Sequence, residues 1–493
     1  MKKVFNLLVF FVLIAGFSAC SKDDSGNQQV PKNPVPSADY KGLAFISSGE
    51  STVRLAQVGT PYEISLEYST DETHWKPYTI WETITLADST FLLFRDGEHR
   101  NHRFSKDTEN YYHFEISGPI SAQGNIMSLL NRNFSTPLSK YVFFALFEGC
   151  TSLLSAPELP TTTMEYGCYA QLFSGCTALK YAPELPAEVL AMNCYQRMFR
   201  GCSTLTSAPK LPATTMAQSC YFGMFSECTE LTSAPELPAK VLASNCYGMM
   251  FKGCSALTSA PKLPATTMAQ SCYFGMFSEC TELTSAPELP AKVLASNCYG
   301  MMFKGCSALT SAPELPATEM KSYCYNSMFA NCTSLKFAPE LPAKRLESNC
   351  YLCMFEGCTS LTSAPELLAT DLVKECYHSM FNGCTSLTSA PKLPAMTLEW
   401  GCYSEMFQGC TSLTSAPELP AKELIRNCYQ LMFKDCSKLR YVKALFTTCP
   451  SEETTKDWLS GVAASGTFVK SKNATWNVTG VHGIPEGWKI ETW

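Results

Sequence analysis

Apolar and polar positions recur along this chain with a fixed step. The stretch CTSLLSAPELPTTTMEYGCYAQLFSGC, from Cys150 to Cys176, places Leu153, Leu159, Met164, Cys168, Leu172 and Phe173 in a pattern that returns every 26 residues as far as Cys436, without gap or insertion. A fixed period of roughly 20 to 50 residues marks a solenoid, in which each coil buries its apolar face only against its neighbours. Within one coil, Leu153-Leu154-Ser155-Ala156-Pro157-Glu158-Leu159-Pro160 reads as a short extended run, because two prolines forbid a helix there. Met164, Cys168 and Leu172 then fall at i, i+4 and i+8, which predicts a helix of about two to three turns, with Gly175 as its left-handed C-terminal residue.

Five large apolar groups per coil, at roughly 1.5 to 3 kcal/mol each, contribute about 10 kcal/mol. Ordering the backbone, at roughly 1 to 2 kcal/mol per residue, costs more. A lone coil is therefore unstable, and the array needs neighbours and a cap at each end. Strands stack about 4.8 Å apart and helices about 8 to 10 Å apart, so a strand-plus-helix coil predicts a curved array with its strands on the concave face. The expected fold class is an α/β leucine-rich-repeat-like solenoid of about 11 to 12 coils over residues 132–443, between an N-terminal β-sandwich-like unit (40–131) and a small C-terminal cap (444–493).

The flanks have a different texture. Period-two runs such as Tyr62–Tyr68, Thr90–Arg95 and Tyr111–Ser117 predict a small β-domain, which loosely resembles the immunoglobulin-like sandwiches of bacterial surfaces and equally suits a spacer and N-terminal cap. Beyond Cys436 the repeat decays; Thr455 to Gly461 reads as helical, and Trp476 and Trp488 accompany turn chemistry. Residues 205–256 and 257–308 are identical, a duplication of two repeats.

The C-Y-x-x-M-F-x-G-C-T-S-L-T-S-A-P-x-L-P-A pattern resembles the BspA-like leucine-rich repeats of bacterial surface proteins, and the related 26-residue repeats of mycoplasma surface lipoproteins. It departs from the BspA form in its length and in Pro157 and its counterparts. The resemblance implies a surface-exposed binding or adhesion role and no common catalytic residues. At the other end of the chain, Lys2 and Lys3, an apolar run from Val4 to Gly16 and Phe17-Ser18-Ala19-Cys20 read as a signal peptide over 1–19. Small residues before Cys20 resemble the bacterial lipobox, in which that cysteine is acylated. Ser21, Lys22, Asp23 and Asp24 look like the surface-export tag of Bacteroidetes lipoproteins, and residues 20–39, with Pro31, Pro34 and Pro36, form the lipidated N-terminus and a tether. A lipid anchor is then the membrane attachment.

A composition of 46% hydrophobic and 17% charged residues suits a folded chain with a sizeable core. A net charge of -6 argues against nucleic acid as a partner. Of 26 cysteines, 23 fall in two repeat columns. Cys168 and Cys176, eight residues apart on a helix, would be about 12 Å apart, beyond disulfide reach; cross-coil pairs stay open, and two ladders of buried thiols are the favoured reading. Cys350 and Cys353 form C-x-x-C without partner ligands for zinc. The chain has six histidines; His99 and His102 have H-x-x-H spacing but lack a third ligand, and no catalytic motif is found. No cofactor, metal site or catalytic residue is expected.

Eleven tyrosines from Tyr169 to Tyr429 repeat in every coil, which suits structure rather than a sugar platform. Two sets of side chains are the candidate binding surface. One follows the first proline of each coil and includes Glu236, Lys262, Glu288, Glu314 and Glu340. Like charges stacked at strand spacing repel, so this column faces water. The other, where coils differ, includes Phe222, Phe274 and Trp400 and is expected to be exposed. The functional expectation is a monomeric, lipid-anchored outer-membrane protein at the cell surface that presents its solenoid to a host surface or matrix protein, mucin or polysaccharide. The alternative is an accessory glycan-capture lipoprotein of a polysaccharide-uptake system, with an enzyme site in the β-domain a third reading.

Overall fold

The structure, a computed structural model, describes residues 35–97 and 103–493. The N-terminal segment alternates as its sequence does. Strands β1 (Leu43–Ser47), β3 (Leu66–Ser69), β4 (Lys76–Pro77), β6 (Phe91–Asp96) and β8 (Ile120–Gln123) form one sheet in the order β4-β3-β6-β1-β8. Strands β2 (Ser51–Val58), β5 (Thr83–Leu86) and β7 (Tyr111–Ser117) form a second, β5-β2-β7. Their facing residues, among them Phe45, Leu55, Phe94 and Phe114, are fully buried. β8 pairs in parallel with β9 (Leu153–Ser155), the extended run of the first coil. Phe45 and Phe114 both pack on Phe147, with ring centroids 6.2 and 5.3 Å apart, so the sheet core passes into the solenoid core.

The helix expected in each coil is absent. In its place runs a ribbon of consecutive turns with a left-handed residue at every fourth position: Gly167, Gln171 and Gly175 in one coil, then Asn193, Arg197 and Gly201, with φ between 53° and 75°. Such residues interrupt a right-handed helix. Backbone hydrogen bonds show what the ribbon gains. Every second amide closes a turn on its own coil, as Cys168 N–H donates to Glu165 C=O at 3.2 Å and Ala170 N–H to Gly167 C=O at 3.1 Å. The amides between them donate to the following coil: Gly167 to Met192, Tyr169 to Cys194, Gln171 to Gln196, Phe173 to Met198 and Gly175 to Arg200, at 2.7 to 3.0 Å. The ribbon's amides thus find backbone partners, as a buried segment requires.

This changes the class from strand-plus-helix to a solenoid of turns and bridges. Among the described residues the one α-helix is α1 (Glu452–Thr455), a single turn that begins before the segment expected to be helical, Thr455 to Gly461. The opposite wall of the coil is not a sheet either. Between β9 and β10 (Tyr441–Ala444) it carries isolated parallel bridges, such as Tyr181 to Ser207 to Ser233 and Thr163 to Val189 to Thr215 to Val241. Prolines between the two bridge columns remove the donors that would complete a ladder. The strong curvature expected from helices also loses its cause. On the ribbon side, successive Phe rings from Phe147 to Phe433 stack 5.5 to 5.8 Å apart, closer than the roughly 8 to 10 Å that packed helices need.

Both ends of the ribbon are occupied. Phe104 and Phe114 donate to the carbonyls of Val142 and Leu146 at 2.8 and 2.7 Å, and Cys150 Sγ reaches Phe114 C=O at 3.0 Å. At the far end Asn427, Tyr429, Leu431, Phe433 and Asp435 donate to carbonyls between Glu453 and Ser460. β10 continues as a parallel sheet with β11 (Thr467–Lys470) and β12 (Lys489–Thr492), and Trp458, Phe468, Trp476 and Trp488 are buried against the last coil.

The cysteines of both columns are buried thiols. In the column from Cys176 to Cys436 each sulfur lies 3.0 to 3.2 Å from the carbonyl of a Phe 29 residues earlier, as Cys176 does to Phe147 and Cys280 to Phe251. Burial pushes Cys202, Cys254, Cys306 and Cys358 up to about 12. Outside the columns, Cys449 is exposed and Cys353 half-buried. In the Cys20→Ala protein, a thiol-reactive dye is expected to label Cys449 and, more slowly, Cys353, with the column thiols reacting only on unfolding, and reductant should leave the melting temperature unchanged. Rapid native labelling of many sulfurs, or unfolding by reductant alone, contradicts the thiol ladders.

Candidate binding faces

The Ala-Pro-Glu-Leu-Pro run folds with its leucine inward and its glutamate outward. Leu289, Leu315 and Leu341 are 3 to 4% exposed, whereas Glu288, Glu314 and Glu340 are exposed, and so are Glu236 and Lys262. The structure therefore places the five predicted residues of this column on one solvent-facing line. From Glu184 to Lys262 the signs alternate; from Glu288 through Glu314 and Glu340 to Glu366 four acids follow one another. Among the described residues none of these four forms an ion pair, and the column's one ion pair there joins Glu418 to Lys443 at 3.0 Å.

Proline walls make this line a row of clefts. Ala286 to Pro290 with Pro313, Glu314 and Pro316 bound a volume of about 460 Å³. The next cleft, between Ala312 to Pro316 and Pro339, Glu340 and Pro342, is about 500 Å³, and the one after it, ending at Glu366 and Leu368, about 280 Å³. A fourth, of about 350 Å³, lies between Glu158 and Glu184. Each separates two coils that both carry glutamate. The prolines supply no N–H, and residues 312–317 make no backbone hydrogen bond. This face therefore combines carboxylates and free backbone groups, suited to charge-pairing and hydrogen-bonding with a bound chain, with pyrrolidine rings that offer apolar contact. The proline walls were not among the predicted residues, although their recurrence is visible in the sequence, and Leu368 stands where the other coils carry their second proline.

Of the second predicted set, the aromatic residues Phe222, Phe274 and Trp400 lie elsewhere, on the turn ribbon, and are not exposed as expected. All three are half-buried. Phe222 lies on Gly248, where a Cβ would come within 2.9 Å of its ring, and Phe274 lies on Gly300, where it would come within 3.2 Å. The Lys374 ammonium stands 4.4 Å from the centre of the Trp400 ring. Variation at these positions thus reflects contact with the adjoining coil. The neighbouring position is also covered: Ser226 and Ser278 are 6% and 5% exposed.

The repeating tyrosines form an internal ladder, Tyr169 to Tyr429, with rings stacked 5.7 to 6.1 Å apart. Cys353 accompanies Cys350 in sequence but points into a polar cluster with Glu356 and Ser379, and burial raises its thiol to about 12. Ser379 in turn donates to Glu405 at 3.0 Å. A nucleophile needs the opposite shift. Among the described residues no group of three His, Cys, Asp or Glu side chains is placed to hold a metal ion, and no helix is long and apolar enough to cross a membrane. Cys20, Ser21, Lys22, Asp23, Asp24, His99 and His102 lie outside the described residues.

Comparison with known proteins agrees with the repeat. A profile described as BspA type leucine rich repeat region (6 copies) matches residues 133–258, 246–388 and 351–448. No curated protein matches the chain significantly. Among solved structures, a crystal structure of a TLR13–ssRNA13 complex aligns over 67% of this chain and 41% of its own length, with 15% identity and a TM-score of 0.25. This chain thus spans less than half of that one.

Proposed function

The chain belongs to the BspA-type leucine-rich repeat family, a class of repeat generally used as a non-catalytic binding scaffold, and on that premise we propose that it is a surface-displayed binding lipoprotein whose ligand docks on the proline-walled glutamate face. Acylation at Cys20 holds it in the outer membrane, Ser21 to Asp24 direct it to the cell surface, and the segment to Asp39 serves as tether. The observation that carries the reading is the run of three adjoining clefts between Glu288 and Glu366, where exposed carboxylates stand beside backbone groups without partners. A host surface or matrix protein or a mucin polypeptide fits this chemistry, since an extended chain can supply both backbone hydrogen bonds and basic side chains. Capture of a polysaccharide is the second reading, favoured by Tyr181 and Phe337, 60% and 64% exposed, which stand two residues before the prolines of two clefts and offer aromatic rings to a sugar.

The test screens the soluble Cys20→Ala protein against matrix proteins, mucins and polysaccharides, and repeats each positive with Glu288, Glu314 and Glu340 changed together to Lys. Loss of at least tenfold in affinity for a protein ligand is expected, with little change in the Trp400→Ala variant. Undiminished binding by the triple variant overturns the assignment of the face; binding to polysaccharide alone, lost in Phe337→Ala, selects the second reading. In cells, Cys20→Ala should abolish palmitate labelling and release the protein from membranes, and continued labelling refutes the anchor.

A further inference from the structure

On the ribbon face, large side chains and glycines alternate from coil to coil. Arg197 lies on Gly223, where a Cβ would come within 3.3 Å of its side chain; Phe222 lies on Gly248, Met249 on Gly275 and Phe274 on Gly300. In two adjacent columns, therefore, a coil with a large residue is followed by one with glycine. A third column follows the same rule. Glu227, Glu279 and Asn331 adopt left-handed backbone conformations and adjoin Gly253, Gly305 and Gly357 of the following coils. Charge is matched at alternate junctions: Arg200 pairs with Glu227 at 3.2 Å and Lys252 with Glu279 at 3.6 Å. Coils 205–230 and 257–282 thus share one kind of surface, coils 231–256 and 283–308 the complementary kind, and each is built to meet the other.

We propose that across residues 205–308 two coils, not one, are the unit in which this array is lengthened or shortened, because a single-coil change there would place like surfaces together. The identical segments 205–256 and 257–308 have that length. Removing 257–282 would set Met249 against Met301, leave Gly248 facing Gly300 with no large side chain between them, and put Gly305 in the place of Glu279, so that Lys252 loses its partner and is followed in its own column by Lys304. Both overpacking and void creation destabilise. Removing 257–308 recreates an existing junction.

Three internal deletions in the otherwise intact Cys20→Ala protein test this by urea unfolding: 257–308, 257–282 and 387–412. The last removes one coil from a stretch where Gly357, Gly383 and Gly409 repeat without alternation. The two-coil deletion and the 387–412 deletion should keep midpoints near that of the parent. The 257–282 deletion should raise the unfolding equilibrium constant at least tenfold beyond either, or give insoluble protein while the other two fold. Equal stability of the 257–282 and 257–308 deletions overturns the proposal. So does equal damage from the two single-coil deletions, which would make any one-coil loss harmful, and so does failure of the 257–308 deletion to fold.

Discussion

Raising the pH of this protein from about 8 to about 10 is expected to unfold it in one steep transition. The two repeat columns hold 23 cysteines, and burial raises their thiols above the ordinary value of 9.0, as at Cys176, Cys228, Cys272 and Cys280. A folded pKa raised above the unfolded one means that the folded state binds more protons at alkaline pH. Stability is fully present up to about one unit below the unfolded value, near pH 8, and is lost as pH rises through it towards the folded values. Near pH 9 each such thiol costs about 0.4 kcal/mol, and one unit higher about 1.4 kcal/mol. The column total near pH 9 is already about 9 kcal/mol, comparable with the usual 5 to 15 kcal/mol net stability of a domain. The buried Tyr221, Tyr273 and Tyr325 are shifted upward too, again by desolvation first, and add to the slope once their own range is reached. Circular dichroism and tyrosinate absorbance should change together. Gradual tyrosine titration in a protein that keeps its dichroism beyond about pH 11 contradicts burial of both ladders.

Phe277→Ala is expected to cost about 3 to 5 kcal/mol. Phe277 is fully buried, and its ring stacks on Phe251 at 5.7 Å and on Phe303 at 5.8 Å. Truncation thus opens a void between two other rings, and the backbone bonds from Phe277 to Met302 and from Phe251 to Met276 hold the coils apart around it. By contrast Glu288→Gln, on the exposed column, should change stability by less than about 0.5 kcal/mol. Chemical denaturation of the two variants measures the contrast, and a silent Phe277→Ala would remove the Phe column from the core.

The period, the inward leucines and the outward glutamates were legible because each follows from the side chain alone. Leu289 cannot face water in every coil without losing the core, and Glu288 cannot be buried beside Glu314. The ribbon was not legible, because its signal coincides with that of a helix: Met164, Cys168 and Leu172 are four apart in both. The left-handed positions held the missing information. Where Gly167, Asn193, Asn245 and Gly401 stand, glycine and asparagine point to positive φ. At the middle position the same conformation is taken by Gln171, Arg197, Met249 and Leu431, which carry no such preference. Bonds to the next coil hold them there, and those are non-local. Phe222 and Phe274 depart from expectation for a related reason: variation between coils does not mean exposure, but records which residue the next coil presents.

On the ribbon, the amides that bond across coils all do so in one sense, each coil donating to the one after it, whereas on the opposite wall amides such as those of Thr232 and Thr284 donate back to Thr206 and Thr258 of the coil before. The ribbon is therefore polar. Its peptide dipoles add along the axis, with partial positive charge towards the C-terminal end and partial negative charge towards the N-terminal end. Two copies cannot join end to end about a twofold axis, since like edges would meet; only a head-to-tail contact matches donors with acceptors, and such a contact runs on as a filament unless its rotation closes a ring. The carbonyls between Glu453 and Ser460 at one end, and the amides of Phe104 and Phe114 at the other, are thus what keeps a directional stack finite instead of a filament.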